Sequence, residues 1–430
     1  MKKGVEKWDA IVVGGGLAGL SAAYEMAKKG LEVMVVERGE HCGSKNVSGG
    51  RLYGHSLEKM IPGFAKEAPV ERKMVRERLA LLTEDGGTII EYGSEKLKKA
   101  PSYSVNRSEF DQWLAKKAEE AGALVITGIT VRELYLEEGK VCGIRSDRDI
   151  FRSDVVILAD GVNSLLAKQI GMKKEWSADH MAVGVKEVIK LDAEIINEHF
   201  GLKDGEGTAL MAAGYVTGGK IGGGFLYTNK ESVSLGIVTT AGDVEYSDVS
   251  VPEMLERFEQ HPMIRPLIRK GKVVEYSAHL VPEGGKKALP ELVKDGVLLT
   301  GDAAGMVMNL GYTVRGMDLA IESGRLAAET VVRAKAAGDF SKAALSEYKT
   351  LLEESFVMQD MKQYQDFPAF MAGSHRLYDD YSQVLDGLFS QLYVVDGSKQ
   401  DDILTKSVRA VAKVGLVNLA VDGIRGLGAL

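Results

Sequence analysis

Short apolar runs separated by glycine-rich turns dominate the first part of the chain. Residues 10–13 form an apolar run that predicts a buried strand, and a glycine-rich turn follows at 14–19. The spacing of apolar residues over 20–28 predicts a helix, and residues 31–36 predict a second buried strand. Strand, helix and strand in this order indicate a parallel βαβ unit.

Two later apolar runs predict further strands of the same sheet, and each one ends in a turn that contains aspartate. Residues 155–159 precede the Asp-Gly pair at 160–161, and residues 297–300 precede the Gly-Asp pair at 301–302. A long helix is predicted over 317–336. The chain therefore returns to its first sheet after long excursions.

The segments between the parts of the first sheet have a different hydrophobic pattern. They contain short β-runs, such as 214–226 and 232–239, and predict a second, antiparallel sheet. Residues 340–430 have a mostly helical pattern. We therefore predict an α/β protein with a discontinuous nucleotide-binding domain (1–75, 105–175 and 295–345), a β-rich substrate domain (79–101 and 176–292) and a helical C-terminal region (340–430).

Composition excludes several classes of protein. Charged residues make up 27% and hydrophobic residues 45% of the chain, which excludes a mainly disordered or coiled-coil architecture. The formal charge of −7, without a long basic run, argues against nucleic-acid binding. Cys42 and Cys142, the two cysteines, cannot form a disulfide framework, a four-thiolate zinc site or an iron–sulfur cluster, and we predict no metal ligands.

The N-terminal sequence and the lengths of the apolar segments predict where in the cell the protein is located. The N-terminus shows no signal-peptide pattern, and no run of about 18 apolar residues is long enough to span a membrane. We predict a cytoplasmic protein whose membrane contact, if it has any, is peripheral on the inner face of the cytoplasmic membrane.

The first turn has the spacing of a dinucleotide-binding loop. Gly14 permits the tight turn, Gly16 lets the backbone approach a pyrophosphate, and Gly19 lets helix and strand pack closely. Glu37, at the end of the second strand, is placed to accept hydrogen bonds from ribose hydroxyls. Its charge would repel a 2′-phosphate, which disfavours NADP, although the neighbouring Arg38 weakens that inference.

The later motifs favour FAD over NAD. Together with the dinucleotide-binding loop, a strand that ends in Gly-Asp would place Asp302 at a ribityl hydroxyl of FAD. Without that loop, the Gly-Asp pair would be interpreted as an ordinary turn. Arg107 opens an amphipathic helix over 107–121 and either reaches the FAD phosphates or is a surface arginine. The Asp-Gly pair at 160–161 either contacts FAD through its backbone or is a plain turn. Residues 311–316 either aim backbone N–H groups at the flavin N1–O2 edge or form a helix entry turn.

Three departures separate this chain from related enzymes: the first excludes dithiol chemistry, the second weakens a monooxygenase interpretation, and the third argues against a second nucleotide site. A disulfide reductase needs a second cysteine five residues after Cys42, where Val47 stands. Aromatic hydroxylases carry an arginine where this chain has Ala167. The glycine cluster 218–224 precedes a β-rich stretch and predicts a twisted sheet with close backbone approach, in preference to a second nucleotide loop. An electron donor delivered by a partner protein is therefore more natural than bound NADH.

With these residues in place, the chain resembles the glutathione-reductase-type FAD superfamily and, within it, the FixC branch of the electron-transfer-flavoprotein:quinone oxidoreductases. The run GDAAGMVMNLGYTVRGMDLAI at 301–321 carries the resemblance, with support from 44–50 and 105–107. The resemblance extends over essentially the whole chain. It implies a glutathione-reductase-type Rossmann FAD domain with an inserted antiparallel β-rich substrate domain and a helical C-terminal region.

The resemblance further implies a function. Electrons would pass through FAD from an electron-transfer flavoprotein, with its alpha and beta subunits, to a quinone, either menaquinone or ubiquinone. The assembly would be of the FixABCX type, which bifurcates electrons, and a separate ferredoxin-like subunit would hold any [4Fe–4S] cluster. We assign no catalytic residue. The expected FAD-contacting residues are Gly14, Gly16, Leu17, Ala18, Gly19, Glu37, Arg38, Lys45, Asn46, Val47, Ser48, Arg107, Val131, Asp160, Gly161, Gly301, Asp302, Gly311, Thr313 and Val314.

Several alternatives stay open at this point. The chain could be a flavin reductase of isoprenoid alkenes, similar to geranylgeranyl reductases, or a non-catalytic scaffold that holds FAD. Seven aromatic residues within 364–393 form either a partner or membrane face or a core helix hairpin. A basic stripe of Lys406, Arg409 and Lys413 belongs to a helix that lies either on an anionic membrane or on the protein's own core.

Overall fold

The computed structural model of the chain describes residues 7–46, 49–412 and 414–430. The strands are β1 (Lys7–Val13), β2 (Val33–Val36), β3 (Gly50–Tyr53), β4 (Val70–Leu82), β5 (Gly87–Gly93), β6 (Ser102–Val105), β7 (Leu124–Ile126), β8 (Val131–Glu137), β9 (Lys140–Ser146), β10 (Ile150–Leu158), β11 (Met181–Lys190), β12 (Glu206–Gly214), β13 (Gly222–Thr228), β14 (Ser232–Thr240), β15 (Lys272–Pro282), β16 (Val293–Lys294), β17 (Val297–Leu299), β18 (Met308–Asn309) and β19 (Val314–Arg315). The helices are α1 (Leu17–Lys28), α2 (His55–Met60), α3 (Glu95–Lys99), α4 (Arg107–Glu120), α5 (Leu165–Gln169), α6 (Ala193–Phe200), α7 (Ala241–Val244), α8 (Val251–Gln260), α9 (Arg265–Ile268), α10 (Met317–Ala337), α11 (Lys342–Leu345), α12 (Glu347–Glu354), α13 (Phe356–Gln363), α14 (Phe367–Ala372), α15 (Asp380–Tyr393), α16 (Ile403–Val411) and α17 (Leu416–Ala429).

An eight-stranded sheet contains the βαβ unit. Its strand order is β16-β17-β10-β1-β2-β7, with β9 paired to β10 and β8 paired to β9. The pairs of β1 with β2, β1 with β10, and β10 with β17 are all parallel, which confirms the predicted parallel unit. Because these strands run in one direction, the glycine turn and the two aspartate turns meet at one edge of the sheet.

Two helices pack closely over this sheet. A Cβ atom on Gly324 of α10 would lie 2.1 Å from the backbone oxygen of Ala18 in α1, so the two helix backbones approach through this glycine. The predicted long helix is confirmed, since α10 spans Met317–Ala337. Cys42 is buried, and burial raises its pKa to about 12.

A nine-stranded sheet forms the second layer, in the order β15-β11-β14-β13-β12-β4-β6-β3, with β5 paired to β4. Among the described residues, the strand pairs of this sheet are antiparallel, as predicted, except that β12 and β4 pair in parallel. The predicted β-run at 214–226 is interrupted. Gly214 has φ 105°, which ends β12, and a 3-10 helix over Tyr215–Thr217 precedes β13.

Sheet membership near the N-terminus differs from the sequence prediction. We placed residues 1–75 in the nucleotide-binding domain, yet β3 and the start of β4 pair within the second sheet. The reason is that β6 bridges the two, pairing antiparallel with both β3 and β4. The domain boundaries as a whole stay a prediction.

The glycine cluster at 218–224 allows the second sheet to pack closely. A Cβ on Gly223 would lie 2.2 Å from the Ala212 oxygen, and one on Gly224 would lie 2.7 Å from the ring of Phe258 in α8. The predicted close backbone approach is therefore confirmed. Helix α8 covers one face of this sheet with Met254, Leu255 and Phe258, and the other face looks toward the first sheet.

The C-terminal region is helical, as predicted, but its aromatic residues do not form one kind of surface. Phe367 and Tyr378 are buried, whereas Tyr393 is 78% exposed. The predicted basic stripe is not a free cationic face, because Lys406 is buried and donates to Gln400 while Arg409 pairs with Asp401. Lys413, the third member, lies outside the described residues.

Helices α16 and α17 present apolar side chains to solvent. We call these residues the C-terminal apolar face: Ile403, Leu404, Val408, Leu416, Val417, Leu419, Val421, Ile424 and Leu427, each at least 39% exposed. Within the ranges that the structure describes, no helix has both the length and the apolar composition needed to cross a bilayer.

Candidate cofactor and substrate site

A cavity of about 750 Å³ lies between the two sheets. One limb, which we call the glycine limb, is bounded by the turn after β1 and by the turns after β2, β10 and β17. The other limb, which we call the apolar limb, runs between the second sheet and the C-terminal helices. Side chains of Leu79, Leu81, Met211, Phe225, Phe367, Phe370, Met371 and Leu377 line it.

The glycine limb is shaped by backbone. Gly14 has φ 108°, and a Cβ there would lie 2.2 Å from the Ala159 oxygen. A Cβ on Gly19 would lie 2.1 Å from the Gly14 oxygen, so this residue joins helix and strand as predicted. Gly16 is different, because the nearest atom to a Cβ built there is a side-chain nitrogen of Arg107, at 3.9 Å. Gly16 therefore leaves open space at the N-terminus of α1, which has no side-chain cap.

Glu37 is fixed by two backbone donors. The N–H of Gly15 donates to one carboxylate oxygen at 2.8 Å, and the N–H of Gly39 donates to the other at 2.6 Å. Glu37 lines the cavity, so its remaining lone pairs can accept further hydrogen bonds. Gly15, which the sequence analysis passed over, is also required to be small, since a Cβ there would lie 2.5 Å from the Cys42 sulfur.

Asp160 and Asp302 face the same cavity from neighbouring strand ends. Ser164 donates to Asp160 at 3.0 Å. Burial raises the pKa of both carboxyl groups, and at Asp302 the positive charge of Arg107 is the largest effect that opposes this rise. Among the described residues the carboxylate of Asp302 has no hydrogen-bonding partner, so it is available to a ligand.

Arg107 is held in place by the helix that it opens. Its guanidinium pairs with Asp111 through two hydrogen bonds of 2.8 Å. Asn46 also donates to Asp111, at 2.6 Å, and thereby ties the loop after β2 to α4. Asp111 was not among the predicted site residues. A buried acid four residues after a helix-opening arginine was the available signal.

The cavity brings most of the predicted site residues together. Its lining includes Gly14, Gly16, Leu17, Ala18, Glu37, Arg38, Lys45, Asn46, Arg107, Val131, Asp160, Gly161, Asp302, Gly311 and Val314. Gly19, Gly301 and Thr313 are not in the lining: Gly301 donates its N–H to Ser323, and the Thr313 hydroxyl bonds the Tyr53 hydroxyl at 2.5 Å. Val47 and Ser48 lie outside the described residues.

A buried lysine that was not among the predicted site residues also lines the cavity. Lys186 of β11 is 2% exposed, lines the cavity and donates from Nζ to the backbone oxygen of Gly49 at 2.6 Å. Burial lowers its pKa to about 7. The signal for it was a lysine in the middle of an apolar strand, where alternation places it on a buried face.

These residues fit a dinucleotide that carries a flavin. The open N-terminus of α1 offers N–H groups to phosphate, Glu37 offers carboxylate oxygens to hydroxyls, and Asp302 points an unpaired carboxylate into the cavity. The apolar limb beyond them accommodates a ring that leaves the polar groove. The observed chemistry therefore agrees with the FAD predicted from the sequence.

Three family models match the chain. "FAD dependent oxidoreductase" matches residues 9–102, "ETF-QO, ubiquinone-binding" matches 181–281, and "ETF-QO/FixC family C-terminal domain" matches 367–430. The second of these spans β11 to most of β15, the strands that line the cavity opposite the glycine turns.

Curated relatives resemble the chain from end to end. "Protein FixC" of Salmonella typhi is 51% identical, covering 98% of this chain and 99% of that protein. "Probable electron transfer flavoprotein-quinone oxidoreductase YdiS" of Escherichia coli is 49% identical and covers 99% of each. "Protein FixC" of Azorhizobium caulinodans is 41% identical and covers 94% of each.

Solved structures confirm the fold. A geranylgeranyl bacteriochlorophyll reductase-like protein from Thermoplasma acidophilum superimposes with a TM-score of 0.73 at 23% identity, covering 96% of this chain and 99% of that one. The flavin-dependent brominase Bmp2 gives a TM-score of 0.65 at 17% identity, covering 95% and 100%. The full-length identity to FixC proteins, together with the three family models, shows that the chain belongs to the FixC/electron-transfer-flavoprotein–quinone oxidoreductase family and is an FAD-dependent oxidoreductase.

Proposed function

We propose that this chain transfers electrons from an electron-transfer flavoprotein to a membrane quinone, with FAD in the glycine limb and the quinone in the apolar limb. The single observation that carries the proposal is the continuity of the two limbs in one cavity, with the ubiquinone-binding match of 181–281 on its wall. A ring in the apolar limb would lie next to a ring that leaves the glycine limb, which is the arrangement that electron transfer needs.

Bound FAD supplies the redox chemistry, since it exchanges electrons with both donor and acceptor. The residues of this chain hold and orient it. The first turn of α1 at Gly16 and the guanidinium of Arg107 bind the pyrophosphate, Glu37 accepts ribose hydroxyls, and Asp302 accepts a ribityl hydroxyl. The turn at 311–316 is a weaker candidate for stabilising charge on the flavin than the sequence suggested, because the N–H of Gly311 donates to the Asn309 side chain and the N–H of Tyr312 donates to the Leu310 oxygen.

The donor and the assembly are also part of the proposal. A relative named as a probable electron transfer flavoprotein-quinone oxidoreductase supports an electron-transfer flavoprotein, with alpha and beta subunits, as donor. Within this proposal the assembly is of the FixABCX type, which bifurcates electrons; it follows from the resemblance to FixC proteins, the name that the relatives carry. The two cysteines of this chain cannot bind a four-cysteine cluster, so a separate ferredoxin-like subunit would hold any [4Fe–4S] centre.

We further propose that the C-terminal apolar face rests on the inner leaflet of the cytoplasmic membrane. The support is its continuity with the apolar limb. A Cβ on Gly426 would lie 3.1 Å from the ring of Phe370, and both Phe370 and the terminal Leu430 line the cavity. A quinone that leaves the bilayer at α17 would therefore meet the mouth of the apolar limb.

The function is tested by anaerobic titration of the FAD-loaded protein with reduced electron-transfer flavoprotein, followed by addition of a menaquinone or ubiquinone analogue, while flavin absorbance is recorded. Bleaching followed by quinone-dependent recovery is the expected result. Bleaching without recovery would indicate that the electron acceptor is not a quinone but an isoprenoid alkene or another molecule. Absence of bleaching, with a verified donor and any cluster subunit present, would leave the scaffold alternative.

The membrane contact is tested by flotation with vesicles of anionic and neutral phospholipid. The double change Ile424→Asp and Leu427→Asp places two charges on the C-terminal apolar face and should abolish flotation. Val274→Asp is the matched control, since Val274 is also exposed, at 57%, but lies on β15 of the second sheet. Equal flotation of the wild type and the double variant would refute the contact.

A further inference from the structure

A buried lysine in the segment between α5 and β11 contacts both aspartate turns of the glycine limb. Lys173 is 6% exposed and is not part of the cavity lining. Its Nζ donates to the backbone oxygen of Val162 at 2.6 Å and to that of Ala303 at 3.4 Å. Val162 comes two residues after Asp160, and Ala303 comes directly after Asp302. One side chain therefore bridges the turns that follow β10 and β17.

Trp176 contacts the same two turns. Its Nε1 donates to the Val162 oxygen at 3.2 Å, so both lone pairs of this carbonyl group are used. A Cβ on Gly305, at the end of the second turn, would lie 2.8 Å from the Trp176 ring. The Nζ of Lys173 lies 4.5 Å from the centre of that ring, where the ring face attracts a cation. Lys173 and Trp176 thus form one unit, which we call the turn clamp.

A charged side chain is a costly choice at this position. Burial lowers the pKa of Lys173 to about 8, and the charge of Asp160 is the largest effect that opposes this fall. Burial of an ammonium group costs free energy that an apolar side chain of similar length would avoid. The contribution of Lys173 therefore comes from what its ammonium group holds, namely the two backbone oxygens.

The two turns carry the carboxyl groups that face the cavity, those of Asp160 and Asp302. Burial raises the pKa of both groups, and the charge of Lys173 is one of the effects that oppose this rise at each of them. Asp160 has a fixed partner, since Ser164 donates to it at 3.0 Å. The carboxylate of Asp302 has no such partner among the described residues, so its direction depends on the backbone that carries it.

We propose that the turn clamp positions the FAD site: Lys173 and Trp176 hold the turn after β17 against the turn after β10, so that the Asp302 carboxylate meets the ribityl chain in one orientation. This assignment rests on the proposed contact of Asp302 with FAD and does not depend on the electron acceptor. Lys173 lies outside the cavity lining, so it is a positioning residue that acts through Asp302.

A double-mutant cycle on the FAD-loaded protein tests the proposal. The rate at which FAD leaves the protein is followed by the fluorescence of the released flavin. Lys173→Met removes both hydrogen bonds but keeps the length of the side chain, and it should raise this rate about tenfold. Asp302→Ala should raise the rate at least as much. In the double variant, Lys173→Met should add less than about twofold to the effect of Asp302→Ala, because the group that it positions is gone.

Lys294→Met is the matched control. Lys294 also donates from Nζ to a backbone oxygen at 2.6 Å, but this oxygen belongs to Ile170 and to neither aspartate turn. The control should leave the rate of FAD release and the visible circular dichroism of bound FAD unchanged. The dichroism should change in Lys173→Met, because it reports on the surroundings of the flavin. Trp176→Phe removes only the Nε1 donor and should speed release about threefold. It replaces Lys173→Met in the cycle if that variant is isolated without FAD.

The outcomes separate this proposal from the contact on which it rests. If Asp302→Ala releases FAD at the wild-type rate, the contact of Asp302 with FAD fails, and the role of the turn clamp fails with it. If Asp302→Ala speeds release and Lys173→Met does not, the turn clamp alone is refuted. Full additivity in the double variant would also refute it, because Lys173 would then act on folding or on another part of the groove.

Discussion

The glycine limb and the apolar limb of the cavity are built in opposite ways. In the glycine limb, backbone forms the walls and most polar side chains already have protein partners, as Glu37 has with two N–H groups and Arg107 has with Asp111. In the apolar limb, side chains from separate elements form the walls. One of its polar groups is left open, because Glu283 lines the cavity and, among the described residues, only its Oε1 is hydrogen-bonded, to Asn309.

This difference matches two kinds of ligand. A groove whose shape is fixed by backbone and by paired charges binds one resident molecule in one orientation, because little has to reorganise on binding. A pocket lined by side chains with open polar groups suits a molecule that arrives, reacts and leaves. The comparison predicts that changes in the backbone of the glycine limb affect folding and FAD together, that changes in its one unpaired side chain affect FAD alone, and that changes in the apolar limb affect the exchanging ligand.

The largest effect is expected from Gly14→Ala. Gly14 has φ 108°, and a Cβ there would lie 2.2 Å from the Ala159 oxygen, so β1 and β10 would have to separate at the turn. We expect the free energy of unfolding to fall by about 3 kcal/mol or more and FAD to be lost from the purified protein. Urea denaturation and the flavin absorbance of the purified protein measure the two effects.

Gly122→Ala is the matched control for Gly14→Ala. Gly122 has φ 111°, nearly the same backbone conformation, but no atom lies within 4 Å of its would-be Cβ. The free energy of unfolding of this variant should therefore fall only by the cost of the strained backbone conformation, about 1 kcal/mol, and the variant should keep its FAD. Equal losses in the two variants would show that contact with Ala159 is unimportant.

A smaller effect is expected from Asp302→Ala. The carboxylate of Asp302 has no hydrogen-bonding partner among the described residues, and burial raises its pKa, so this group contributes no stability to the FAD-free protein. We expect FAD affinity to fall roughly tenfold to a hundredfold while the FAD-free protein unfolds at the same or a higher urea concentration. Asp147→Ala, an exposed change on the first sheet, should alter neither. A loss of stability in FAD-free Asp302→Ala would mean that Asp302 is structural.

The same contrast explains what could be read from the sequence. The glycine limb depends on local rules: a glycine is needed where φ is positive or where backbones touch, and an acid ends a strand. Gly14, Gly19, Glu37 and Asp302 could therefore be located before the fold was known. Such signals do not depend on distant parts of the chain.

The apolar limb has no such local signal. Glu283, Asn309 and Tyr378 come from three separate segments, and only the tertiary fold brings them into one wall. The parallel pairing of β4 with β12 is of the same kind, because it joins strands that are far apart in the chain and have no connecting motif. Burial of Lys406 and its bond to Gln400 also depend on packing that a helical stripe does not reveal.

A local effect is expected from Asp422→Asn at the outer end of the apolar limb. Asp422 accepts two hydrogen bonds from Arg376 and one from Tyr381, at 2.6 to 2.7 Å, and thereby anchors α17. Weakening this anchor should raise the rate of proteolysis in the C-terminal region roughly fivefold, with FAD content unchanged. Asp401→Asn, which affects only the exposed pair with Arg409, is the control. Loss of FAD from Asp422→Asn would show that the two limbs are not independent.

The smallest effect concerns pH and lies on the face of the second sheet that looks away from the cavity. Burial, together with the hydrogen bond and charge of Glu187, raises the pKa of Glu259 to about 8. Because the folded protein then holds a proton that the unfolded chain releases near pH 4.5, this contribution to stability is complete below about pH 4.5. It declines as pH rises and is lost above about pH 8.

Glu259→Gln removes this dependence. Since the group is only partly buried, we expect the free energy of unfolding of the variant to exceed that of the wild type by about 1 to 2 kcal/mol at pH 9 and to differ little at pH 5. Urea denaturation at the two pH values measures the difference. The raised pKa of Glu259 would be contradicted if the free energy of unfolding of the wild type rose between pH 5 and pH 9 while that of the variant did not. Either way, quinone reduction should be unaffected, because Glu259 lies outside the cavity lining.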